Sequence, residues 1–150
     1  MIKKFIIIIS LIFFAGCGFT PIHSNKNINN FSIELINFSK NGDRELNNFF
    51  KTNLIQYKNS NKKKISVIIN SKFTKNILTK DQTGKITNYE LLADVTFTIE
   101  STKKKFKFSE KKIIENLDDK FKQYKNERSI KRIFASSMTN KLISELRFIE

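Results

Sequence analysis

Apolar and polar residues alternate along much of this chain with two different periods. Residues 31–35 alternate one by one, as a strand with one buried face does, and this strand is expected to continue to about Phe38. Three further runs of this kind cover 65–78, 86–100 and 104–114. Residues 81–84 and 101–102 supply turns between them, so these three runs predict an antiparallel meander. We expect Phe97 and Phe106 on its dry face, and Thr96, Thr98, Lys105 and Lys107 on its wet face.

Two segments instead carry apolar residues at helical spacing. The first is 43–58, where Asp43 can cap the N-terminus ahead of Leu46, Phe49, Phe50, Ile55 and Tyr57. In 127–148, apolar residues recur three and four positions apart: Ile130, Ile133, Phe134, Met138, Leu142 and Leu146. The order is then β-α-β-β-β-α. We expect an α+β two-layer sandwich, a four-stranded sheet with two helices on one face.

The first sixteen residues have the composition of an export signal. Lys3 and Lys4 precede an apolar stretch, 5–14, that only Ser10 interrupts, and the small pair Ala15-Gly16 follows. A spanning helix needs about 20 apolar residues, so this stretch is too short to remain as a membrane anchor. We therefore expect 1–16 to be removed as a signal peptide.

Cys17 stands directly after this segment. Phe14-Ala15-Gly16-Cys17 resembles the bacterial lipobox, although Phe14 stands where the box usually has Leu. The resemblance implies that Cys17 becomes the mature amino terminus and carries diacylglycerol and an amide-linked acyl chain such as palmitate. Gly18, where an Asp would follow in retained lipoproteins, implies the periplasmic face of the outer membrane. The alternative is a stray cysteine in an ordinary cleavable signal, and in either case 17–30 is a polar, Asn-rich tether.

The chain is strongly basic. It has 28 Lys and Arg against 14 Asp and Glu, a net charge of +14, and loss of Lys3 and Lys4 with the signal leaves +12. Such a charge favours a polyanionic partner: nucleic acid, an anionic membrane or a phosphorylated glycolipid. AT-rich codon usage, which enriches Lys, Asn and Ile together, is the competing explanation.

The lysines form clusters at predicted strand ends and turns. If the meander is correct, one group gathers near the first hairpin tip and two others, 62–64 and 103–107, meet at the opposite end. The first group consists of Lys72, Lys75, Lys80 and Lys85. Either end could contact glycolipid phosphates, and the alternative is that both are simply solvated loop ends.

Catalytic residues are sparse. The single cysteine excludes an internal disulfide and a multi-cysteine metal site. The single histidine, His23, lies in the tether and is interpreted as solvated, and Glu110, Asp118 and Asp119 are interpreted as solubilising. The four glycines are too scattered to form a phosphate loop. We therefore expect no enzyme, no cofactor and no metal.

Cys17-Gly18-Phe19-Thr20-Pro21-Ile22 is similar to the Cys-Gly-Phe-x-Pro-Leu start of alphaproteobacterial members of the LPS-assembly lipoprotein family, LptE. The element order and the long closing helix resemble that family too, as does the 81–84 turn that leads to Thr87, Leu91, Ala93 and Phe97. The resemblance spans nearly the whole chain. It implies an LptE-like domain over 31–150.

The function that this resemblance implies is that of a plug. The lipoprotein sits inside the β-barrel of LptD and helps it insert lipopolysaccharide into the outer leaflet. The partners are then LptD, lipopolysaccharide and, through the lipid anchor, the membrane, without nucleic acid. Lys80 and Lys85 are the candidate lipopolysaccharide-binding residues. Two alternatives remain: a stand-alone periplasmic lipoprotein that binds an anionic envelope glycan or glycolipid, and an enzyme with an unrecognised site.

Overall fold

The computed structural model describes residues 31–39, 42–59 and 61–148. The predicted signal and tether, with Cys17 and His23, lie outside the described residues. The elements follow the order β-α-β-β-β-α, which confirms the predicted one. They are β1 (Phe31–Phe38), α1 (Arg44–Ile55), β2 (Lys63–Lys80), β3 (Ile86–Ile99), β4 (Lys105–Glu115) and α2 (Lys120–Arg147).

The four strands form one sheet in the order β1-β2-β3-β4. The pairs β2-β3 and β3-β4 are antiparallel, which is the expected meander, whereas β1 runs parallel to β2 with α1 as the connection. β1 pairs with only the first part of β2, from Lys63 to Ile69. The rest of β2, residues 70–80, therefore has a neighbour on its β3 side only, as far as the described residues show.

The core lies on one face of the sheet. From Leu91 to Ile99 every second residue of β3 is buried, so this part of the strand has one dry face and one half-exposed face. The edge of the Phe50 ring on α1 meets the Phe97 ring on β3, with centroids 5.3 Å apart. On β4, Glu110 binds Ser137 and Lys141 of α2 from the same dry face. Both helices therefore cover one face of the sheet, as predicted.

The start of each helix is fixed by an aspartate. The carboxylate of Asp43 accepts a hydrogen bond from the Leu46 N–H at 2.7 Å, as predicted. α2, however, begins at Lys120 and not near residue 127, because Asp119 accepts hydrogen bonds from the backbone N–H groups of Phe121 and Lys122. Its first two turns are largely polar, so apolar spacing does not reveal them. The interpretation of Asp119 as merely solubilising is wrong.

Two apolar residues assigned to helix faces lie outside the core. Ile133 is 59% exposed and Ile55 is 54% exposed. In α2, buried residues stack at three- and four-residue steps that pass beside Ile133, and Thr139 and Ile143 join the predicted stripe. In α1, Leu54 is buried and its neighbour Ile55 faces outward. Adjacent residues of a helix point about 100° apart, so both cannot face the sheet.

A lysine joins the two helices. Lys131 Nζ of α2 lies 3.0 Å from Oδ2 of Asp43 and 3.3 Å from Oε2 of Glu45, at the start of α1. It also lies over the Phe73 ring, 4.4 Å from the centroid. Only 13% of the Lys131 side chain is exposed. The pairing satisfies a largely buried cation, and the two carboxylates carry the sign of charge that a helix N-terminus favours.

Gly42 precedes α1 at a crowded point, and this gives a test of the packing. A Cβ there would lie 2.7 Å from Nδ2 of Asn47, whose Oδ1 accepts a buried 2.6 Å hydrogen bond from Ser71. We expect Gly42→Ala to lower the free energy of unfolding in urea by about 1–2 kcal/mol because this pair must shift. The cost should shrink when Asn47 is also changed to Ala.

Gly84→Ala is the matched control. Gly84 has φ +84° and open space around its Cα, so its cost is one of backbone conformation, about 1 kcal/mol. That cost should be the same with or without Asn47. If Gly42→Ala costs as much in the Asn47→Ala background as in the native one, the crowding explanation is incorrect.

Candidate functional site

The turn between β2 and β3 is built around Asp81. Its Oδ1 accepts hydrogen bonds from the Thr83 N–H at 2.8 Å, the Thr83 hydroxyl at 2.6 Å and the Lys85 N–H at 2.9 Å. The Thr83 hydroxyl contributes most to holding the pKa of Asp81 below its usual range, and the Lys85 charge adds to it. Gly84 supplies the positive φ that closes the turn. Lys80 and Lys85 flank this turn.

Lys85 is paired with an acid. Its Nζ lies 2.9 Å from Oδ1 of Asp118, and this hydrogen bond and charge raise the pKa of Lys85 and lower that of Asp118. Asn116 holds the chain before Asp118 against the start of β3, since its side chain donates to the Ile86 carbonyl at 2.9 Å and its N–H to the Thr87 carbonyl at 2.7 Å. An open groove lies between these segments, lined by Asp81, Lys85, Ile86, Thr87, Asn88, Glu115, Asn116 and Asp118.

This part of the molecule, residues 80–87 and 115–124, is called here the hairpin end. It carries four lysines and four carboxylates and is neutral. They are Lys80, Lys85, Lys120 and Lys122 with Asp81, Glu115, Asp118 and Asp119. Contrary to the prediction, Lys72 and Lys75 do not lie at the hairpin end. Lys72 lies opposite Asp94 nearer the middle of the sheet, and Lys75 pairs with Glu127 of α2.

The opposite end of the sheet gathers the other two clusters, as predicted. The described residues 31–34, 57–59, 61–64, 99–105 and 145–148 meet here and are called the basic end. Lys63 and Lys64 at the start of β2 lie beside Lys104 in the turn between β3 and β4. They surround a pocket of about 80 Å³ whose apolar wall is Ile65, Ile99 and Leu146. Cations therefore stand around an apolar surface at this end.

No cluster of three or more His, Cys, Asp or Glu suited to a metal occurs in the part of the chain that the structure describes. Glu110 is not simply solubilising, since it accepts hydrogen bonds from Ser137 at 2.5 Å and Lys141 at 2.6 Å and so fixes α2 to β4. Neither described helix combines the length and apolar character needed to cross a bilayer.

The arrangement of two helices on one face of this sheet occurs in solved structures of bacterial lipoproteins. Rare lipoprotein B from Shewanella oneidensis matches with a TM-score of 0.55 and 15% identity, over 79% of this chain and 93% of that one. An uncharacterized lipoprotein B from Nitrosomonas europaea matches with a TM-score of 0.54 and 13% identity, over 78% and 83%. At such identities the likeness shows a shared fold. No protein-family model matches the chain, and no curated protein matches its sequence.

Sequence reasoning did not identify Asp118 as the partner of Lys85. The register places Asn88 opposite Glu115, so Asp118 follows just past the point where β4 leaves the start of β3. An exact strand register was the missing information. With the exact register, Asp118, three residues beyond the end of β4, could have been placed beside the turn between β2 and β3.

The Lys85–Asp118 pair gives a pH-dependent test. Removing the cation with Lys85→Gln takes away the main cause of the low pKa of Asp118, so that pKa should rise toward its usual range. A carboxyl ¹³C NMR titration measures this directly. Lys122→Gln, which removes a neighbour of Asp119, is the control and should leave Asp118 unchanged. An Asp118 pKa that does not respond to Lys85→Gln contradicts the pairing.

Proposed function

We propose that this chain is an envelope lipoprotein of the LptE kind, which assists the LptD β-barrel in assembling lipopolysaccharide into the outer leaflet. The observation that carries the proposal is the fold match to rare lipoprotein B, a homologue of LptE, over 93% of that protein's chain. The Cys17-Gly18-Phe19 start supports it from an independent part of the sequence.

The proposed anchor is a lipid on Cys17. Each buried methylene contributes roughly 0.8 kcal/mol, so several acyl chains hold a protein on a bilayer where a single chain binds reversibly. The absence of a spanning helix among the described residues is compatible with such an anchor. The proposed location is the periplasmic face of the outer membrane.

The proposed contact with LptD uses the open face of the sheet. Neither described helix covers this face, and its residues are largely polar in register across three strands. Asn70 lies opposite Thr96, which lies opposite Lys107. A large barrel has a polar interior, so a rigid domain with a polar face can sit within it without exposing apolar groups to polar surroundings.

Co-purification tests the partnership. Tagged protein from gently solubilised outer membranes should carry a fatty-acid label on Cys17 and should bring LptD with it. The Cys17→Ser variant should lose both the label and outer-membrane localisation. Recovery of an acylated protein that is only a free monomer would count against LptD as the partner while leaving the anchor intact.

Lys80 and Lys85 remain the proposed contacts for lipopolysaccharide phosphates. Because Asp118 competes for Lys85, the two kinds of substitution should act in opposite directions. In a titration with fluorescent lipopolysaccharide, Lys80→Gln with Lys85→Gln should weaken binding several-fold, and Asp118→Asn should strengthen it. Lys120→Gln with Lys122→Gln, an equal charge change at the same end, is the control. An equal loss in the control indicates a diffuse charge effect and no specific contact.

The basic end favours a second candidate function. A stand-alone lipoprotein could use those lysines to bind an anionic envelope glycan or glycolipid without a barrel partner. Deletion separates the two, since this alternative leaves LptD folding and surface lipopolysaccharide unchanged.

A further inference from the structure

The two ends of the domain differ in charge. The basic end has eight Lys and Arg against three Glu, whereas the hairpin end has four of each sign. The cations of the basic end are Lys58, Lys62, Lys63, Lys64, Lys103, Lys104, Lys105 and Arg147. Its carboxylates are Glu34, Glu100 and Glu145, of which Glu34 lies 2.9 Å from Lys64. Counted over the described residues, the basic end therefore has an excess of five positive charges.

The chain enters the described fold at this same end. Phe31 opens β1 beside Lys63, and the sequence places thirteen residues between Cys17 and Phe31. That segment spans at most about 50 Å when fully extended. A lipid on Cys17 thus keeps the basic end within a few nanometres of the bilayer, which raises its local concentration at the headgroups.

One further feature suits the basic end to a headgroup layer. Phe148, which closes α2 beside the pocket residue Leu146, is 87% exposed. The pocket of about 80 Å³ has room for only a few water molecules, so it does not enclose an acyl chain. Any lipid contact at this end is therefore made on its surface and not inside a cavity.

We propose that the basic end docks on the anionic phospholipid surface of the membrane that holds the protein, with the hairpin end pointing away. Lys63, Lys64 and Lys104 lie over the headgroups, and Phe148 enters the interface. The docking rests on the proposed acylation of Cys17, because the lipid anchor holds the basic end close to the bilayer and so allows a weak surface contact to persist.

The expected strength follows from the charges. Each Lys or Arg at an anionic surface contributes a factor of about five in binding, so three lysines account for about a hundredfold in the docking equilibrium. The Lys64–Glu34 ion pair is exposed and therefore weak, so it does not prevent Lys64 from contacting headgroups. The contact should weaken with salt, since the Debye length falls from roughly 10 Å at 0.1 M to about 3 Å at 1 M.

A fluorescent reporter tests the orientation in the full, acylated protein. Thioether formation blocks the thiol of Cys17, so a single new cysteine can carry an environment-sensitive dye. Ser101→Cys reports the basic end, and Gln82→Cys reports the hairpin end; both positions are exposed. In vesicles of phosphatidylcholine with phosphatidylglycerol, the dye at 101 should shift to the blue and the dye at 82 should not. Phosphatidylcholine alone, or 1 M salt, should abolish the shift.

Charge-matched variants complete the test. Lys63→Gln, Lys64→Gln and Lys104→Gln together should reduce docking about a hundredfold, whereas Lys120→Gln, Lys122→Gln and Lys125→Gln together, an equal charge change far from the basic end, should leave it unchanged. An equal shift on neutral vesicles, a shift at position 82 alone, or equal losses in both triple variants would overturn the proposal. Acylation of the Cys17 peptide is first measured by mass spectrometry. A protein without acyl chains refutes the anchor, whereas an acylated protein without the shift at 101 refutes only the docking.

Discussion

The structure depends on the burial of a single face of the sheet. From Leu91 to Ile99 only every second side chain of β3 is buried, so the dry face must be covered and the other face can stay open. Both helices go to the dry face, where Phe50 packs on Phe97 and Lys131 joins the start of α1 to the middle of α2. The open polar face follows from that one-sided burial.

The same arrangement separates two regions that differ in chemistry. At the hairpin end, cations are matched by carboxylates, and the Lys85–Asp118 pair holds one of them in place. At the opposite end, lysines stand around an apolar wall beside the start of β1. The net charge of the chain gives no sign of this division, because it adds together residues that the fold places far apart.

The element order, the meander, the covered face and the Asp43 cap were predictable, because period-two and helical spacing are properties of the sequence alone. The start of α2 was not, because its first turns are polar and only the Asp119 cap marks them. For the candidate site, the meeting of the two lysine clusters at the basic end followed from the meander. The Lys85–Asp118 pair needed the exact strand register, which the pattern of residues does not determine.

The partial pairing of β1 leaves part of β2 as an open sheet edge. Residues 70–80 of β2 present backbone N–H and C=O groups on a side where no described strand pairs with them. Such a border is a template for another copy of the chain. Lys72 and Lys80 lie along it, and the register shifts between Ile77 and Lys80 interrupt the regular pairing of β2 with β3. Lysines along an exposed sheet edge disfavour pairing with another copy of the chain, so part of the lysine excess has an explanation that requires no bound partner.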